Sequence, residues 1–166
     1  FTPRYQKLVE ANKEKLHNGR LAAEDAQMYI RRALKFGVDT TSLVAMLAGA
    51  RMLDYVAMKY LYASEIAGFW KEVSENPTGS NYWTLICIET RDKYHSRLSD
   101  MLDMIVITKE AFKRAWMNEY EPFRLGVVLG KYDLEFQYWL KLQRRMENLR
   151  FKEGEALPPL EKITDI

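Results

Sequence analysis

Cysteine is almost absent from this chain. Cys87 stands alone among 166 residues, so no internal disulfide can form and no cysteine-based zinc site can be assembled. An excess of one charge is also missing. The 25 Lys and Arg against 23 Asp and Glu leave a net charge of +2, which gives no electrostatic reason to favour a polyanion, and nucleic acid is not an expected partner. The longest apolar-rich segment, residues 43–70, is interrupted by Arg51, Asp54, Lys59 and Glu65. A bilayer-spanning helix does not tolerate such charges easily, so no membrane span is expected. No charged stretch followed by an apolar one marks a secretory leader, and a start at Phe1-Thr2-Pro3 without methionine reads as that of a processed product or a fragment. Alternation of period two, low-complexity sequence and internal repeats are all lacking.

What is present is helical periodicity, with Pro and Gly at places where helices end. The pattern predicts an all-α fold of about five helices, forming a single bundle domain over residues 1–155, with 156–166 an extended or disordered tail. A first helix runs from about residue 3 to a stop at Asn18-Gly19 and a second from about 20 to 36, ending at Gly37. Asp39, Thr40 and Thr41 offer oxygens to the orphan amides of a third, residues 42–74. Its apolar positions cover so wide an arc that several neighbours must pack round it, which makes it the long apolar central helix. Asn76, Pro77, Thr78, Gly79 and Ser80 are a loop. A fourth helical region spans about 81–120, with a break near Thr108, and a last helix spans about 124–152 after a turn at Glu121-Pro122.

The most particular stretch is WMNEYEPFRLGVVLGKYDLEFQYWLKLQRR, residues 116–145. It resembles the carboxy-terminal helical region of some bacterial β-N-acetylhexosaminidases of glycoside hydrolase family 20, with weaker matches at residues 51–70 and at TKEAFKRAW, residues 108–116. The resemblance implies a non-catalytic accessory domain whose partner is the catalytic barrel of a parent glycosidase acting on terminal N-acetylhexosamine. It also implies a structural elbow or domain interface at Trp116, Glu119, Pro122, Arg124 and Trp139. That family works with a neighbouring Asp-Glu pair. No Asp-Glu dipeptide occurs here, so no catalytic residue carries over.

Other chemistry was weighed on the residues themselves. Glu14 with His17 and Asp92 with His95 have the i, i+3 spacing of di-metal bundles. At ~100° per residue, however, the first pair lies off the apolar face of its helix, leaving His95 with Asp92 inward and no second motif. No metal or other cofactor is therefore expected. Arg51 and Asp54, three apart in an apolar helix, are expected to share a buried polar cluster with Asp92 and His95, because unpaired charge there is expensive. Aromatic residues at helical spacing are expected in the core, although Tyr138 and Trp139, being adjacent, should not both point inward. Lys141, Arg144, Arg145, Arg150 and Lys152 read as a solvated face near a helix carboxy terminus. The alternatives to an accessory domain are a stand-alone helical protein-interaction module and a metal-binding bundle, and homo-oligomers are compatible with each.

Overall fold

The computed structural model describes residues 3–37, 39–85 and 96–165. Among them every regular element is a helix: α1 (Pro3–Ala11), α2 (Lys13–Ala33), α3 (Thr40–Glu75), α4 (Gly79–Trp83), α5 (Arg97–Glu119), α6 (Leu125–Glu147) and α7 (Leu160–Thr164). That is seven described helices rather than five, and each departure from the expected pattern has a local cause.

The first break falls at Asn12, whose side-chain amide donates to the Leu8 carbonyl at 2.9 Å and so competes with the helical ladder. Asn18 and Gly19 lie inside α2. Burial of Ala23, Gln27 and Ile30 on that helix outweighs a glycine penalty of about 1 kcal/mol. Thr108 does not interrupt α5 either; it is fully buried at mid-helix. Asp39 caps α3 as expected, accepting from the Ser42 amide at 3.1 Å. The Thr78 and Ser96 hydroxyls do the same for α4 and α5. Between α5 and α6, Arg124 takes φ 62°, the one left-handed non-glycine residue among those described.

Helix α3 packs most extensively on α2 and α5, and also meets α1 and α4, while α6 lies on α5. The pairs Glu65 with Arg97 and Tyr62 with Asp100 set α3 and α5 antiparallel. Lys109 with Asp133 sets α5 and α6 antiparallel in turn. The main core joins Tyr55, Met58, Ile66 and Trp70 of α3 to Leu98, Met101 and Ile105 of α5 and to Trp139, Leu142 and Met146 of α6.

Residues after 155 are not simply extended. Leu157 and Leu160 enter this core, α7 follows, and the Trp70 indole donates to the Pro158 carbonyl at 3.0 Å. Neighbours do not cover α3 on every side, contrary to the reading of its wide apolar arc. Met46, Gly49, Met52, Leu53, Val56 and Tyr60, three or four apart except for the adjacent Met52 and Leu53, form an exposed line along it.

Candidate functional site

That exposed line is the first component of the site. At ~100° per residue its members fall within about a third of the helix circumference, and none carries a charge. Leu53 is 68% exposed, and the line borders α6, where Val127 and Leu134 are exposed to 69% and 73%. Single exposed apolar residues are ordinary, and this uncharged line is a candidate contact surface because its members adjoin one another.

The second component is a cleft of about 250 Å³ beside the line, where α3, α5 and α6 meet. Met52 and Val56 form its outer edge and belong to both features. Val128, Lys131 and Tyr132 come from α6. Lys59 Nζ and Glu135 Oε1 pair across it at 2.7 Å, both side chains a little over a quarter exposed, and Lys59 lies 5.3 Å from the centroid of the Tyr55 ring. Deeper in are Tyr55, 3% exposed, whose phenol stands beside the Glu135 carboxylate and the Trp139 indole, and Thr108, which is fully buried. Burial, with the nearby Glu135 carboxylate adding to it, pushes the Tyr55 phenol far above its ordinary pKa, so this hydroxyl stays neutral. Burial and Glu135 also raise Tyr132. A second cleft of similar size opens on the other side of Lys59, between α1, α3 and α6, walled by Tyr5, Tyr60, Tyr138 and Trp139.

The residues singled out from sequence are distributed otherwise than expected. Trp116 holds the elbow: its indole donates to the Glu121 carbonyl at 3.0 Å, and its ring packs on Phe112 and Tyr120. The Pro122 carbonyl accepts from the Leu125 amide, and Arg124 lies over the Phe123 ring. Glu119 is exposed and takes no part in these contacts. Trp139 is 5% exposed and belongs to the core, so it is not a surface residue awaiting a partner. Tyr138 packs edge-on against it and donates to the Thr164 carbonyl at 3.4 Å. Both rings are accommodated because α6 is flanked by the main core on one side and α7 on another.

The polar cluster exists with different members. Asp54, 4% exposed, accepts from Arg20 Nε at 2.9 Å and Gln27 Nε2 at 3.2 Å, both on α2. Arg51 is not its partner. The Arg51 Nε is buried without an acceptor, and burial together with Arg31 and Arg114 lowers its pKa. Asp92, His95 and Cys87 lie outside the described residues. Glu14 and His17 are both exposed on α2, and no three His, Cys, Asp or Glu side chains among the described residues gather into a group able to hold a metal ion. No helix among the described residues is long and apolar enough to cross a membrane.

Sequence reasoning missed the Lys59–Glu135 pair, whose members are 76 positions apart. It also missed Thr108 as a lining residue, and only the β-branched run read as a break drew notice to it. Compared with protein-family models, with curated proteins and with solved structures, the chain finds no match in any of the three.

Proposed function

We propose that this chain is a non-catalytic helical accessory domain, a bundle organised round α3, that packs against another domain through the uncharged line from Met46 to Tyr60. The observation that carries this reading is the line itself. Along this line α3 leaves uncharged side chains uncovered, and closing it against a partner removes apolar surface from water at about 25 cal/mol per Å². The Trp116 bond to the Glu121 carbonyl braces the turn from which α6 leaves α5.

The resemblance of residues 116–145 makes the proposed partner a catalytic barrel of the hexosaminidase type, acting on terminal N-acetylhexosamine. The gene decides the matter. Its open reading frame should encode a barrel-sized segment with an Asp-Glu pair, and the whole product should hydrolyse aryl N-acetylglucosaminides. In that protein Leu53→Glu should weaken contact between the two parts while leaving the helical domain folded. A reading frame without such a segment overturns the glycosidase partner. Self-association of the protein, abolished by Leu53→Glu, would make a second copy the occupant of the line instead.

A further inference from the structure

The seam between α2 and α5, floored by α3, carries charge at both ends, and the ends are unlike. At one end the charges balance. Arg20 meets Asp54 at 2.9 Å and Glu24 at 3.2 Å, Arg97 meets Glu65, and Asp100 accepts from the Tyr62 hydroxyl at 3.4 Å. At the other end stand Arg31, Arg51 and Arg114. None of the three forms an ion pair with a described residue, and Glu110, one turn before Arg114, does not reach it.

The packing brings these three together. Arg20 lies over the Tyr62 ring and Gln27 touches Asp54, so α2 and α3 run antiparallel and Arg31 comes level with Arg51. The pairs Glu65 with Arg97 and Tyr62 with Asp100 set Arg51 level with Ala111 of α5, and Arg114 follows one turn later. Around α3, at ~100° per residue, Arg51 lies between Asp54, which faces α2, and Tyr62, which faces α5. Its side chain therefore enters the seam, where the like charge of Arg31 and Arg114 adds to burial in lowering its pKa. The Arg51 Nε is covered by protein without an acceptor, whereas its Nη groups, also without one, keep contact with solvent. Arg31 and Arg114 are exposed, so the seam is open to an ion from water. The adjoining cleft of about 380 Å³ adds Arg32 and Lys35, and its two carboxylates, Glu24 and Asp54, are those already held by Arg20.

We propose that this end of the seam is a binding site for a phosphate group, free or as the monoester of a small molecule. Arg51 meets it from the floor, Arg31 and Arg114 close on it from α2 and α5, and the body of an ester has the cleft beside Lys35. Guanidinium forks match the paired oxygens of an oxyanion and stay charged at any ordinary pH. Phosphate, with nearly two charges near neutral pH, relieves the repulsion among three cations better than a chloride does. The site lies on the side of α3 away from the Met46–Tyr60 line, so it stands whatever domain covers that line.

The test is titration of inorganic phosphate into the purified protein near neutral pH, with sodium chloride at matched ionic strength as control, while arginine Nε–Hε resonances are followed by NMR. Arg31, Arg51 and Arg114 should shift saturably with phosphate and not with chloride. Arg51→Met should weaken phosphate binding about tenfold, the worth of one charge-assisted hydrogen bond. It should also raise the thermal midpoint in phosphate-free buffer, because it removes a half-buried charge that faces two like ones. Arg114→Gln, at an exposed position, should weaken binding with the fold untouched, and Arg144→Gln on α6 should leave binding unchanged. Glycerol 3-phosphate binding more tightly than phosphate identifies a monoester as the ligand, and equal affinity identifies the free ion. Equal shifts in phosphate and chloride, shifts spread over the other arginines, or undiminished affinity in Arg51→Met and Arg114→Gln would each overturn the proposal.

Discussion

Replacing Asp54 by alanine should cost the fold about 2–3 kcal/mol. The carboxylate is 4% exposed and receives Arg20 Nε at 2.9 Å and Gln27 Nε2 at 3.2 Å. Its removal strands a buried amide, since Gln27 is itself 8% exposed, and deprives the Arg20 guanidinium of its nearest anion. Breaking a buried charge pair from one side costs about 3–5 kcal/mol. The cost here falls at or below the bottom of that range because the Arg20 side chain remains 21% exposed and keeps Glu24 at 3.2 Å. Equilibrium urea unfolding of wild type, Asp54→Ala, Arg20→Ala and the double variant measures both the cost and the coupling. The coupling should exceed about 1 kcal/mol, because the two groups touch. A loss below ~0.5 kcal/mol for Asp54→Ala, or a coupling near zero, would refute the argument that this pair is the polar anchor between α2 and α3.

Other consequences are open to direct measurement. Gly37→Ala should destabilise by about 1–2 kcal/mol, because its Cβ would stand 2.8 Å from Leu43 Cδ1 and 2.9 Å from the Ala33 carbonyl oxygen. Gly68→Ala, in open space within α3, should stabilise by about 0.5–1 kcal/mol; thermal melts that rank the two the other way would contradict the packing. Trp70→Phe should cost about 1–2 kcal/mol through the lost bond to the Pro158 carbonyl and speed amide exchange in α7, whereas unchanged exchange there would show that the indole does not hold the tail. Tyr55 has a folded-state pKa raised above its unfolded value of about 10. Its contribution is therefore intact below that pH and is lost as pH rises past it, because the unfolded chain gives up the proton first. Stability should fall by about 1.4 kcal/mol per pH unit on account of this residue alone. Phenolate absorbance that develops from all ten tyrosines in the still-folded protein near pH 10 would contradict its burial.

The extent of α3 was legible because its signals are local: Asp39 ahead of Ser42, no Pro and only isolated Gly within it, and Asn76-Pro77 after it. The division of α1 from α2 was not. Asn18-Gly19 carries a strong local stop, and what keeps the helix going there is burial of Ala23, Gln27 and Ile30 on a neighbour that cannot be seen from within the segment. The same limit governed the polar cluster. Cost alone showed that Asp54 needs a partner. The partner stood 34 residues away on α2 rather than three away at Arg51. Trp139 was misplaced for the complementary reason: adjacency to Tyr138 forbids two inward rings only where a helix has one covered face, and α7 gives α6 a second. The exposed side of α3 was hidden by its own composition, since apolar residues spread over a wide arc do not declare which side the neighbours leave bare.

Where the reading frame encodes a further domain, hydroxyl-radical footprinting of that full-length protein against this chain alone tests the proposed docking surface most directly. Met46 and Met52 should oxidise several-fold more slowly in the full-length protein, with Phe36 and Trp83, exposed to 88% and 63% away from the line, labelled equally in both. Equal labelling of Met46 and Met52 in the two would show the α3 line bare in the native protein and contradict its role as a contact surface.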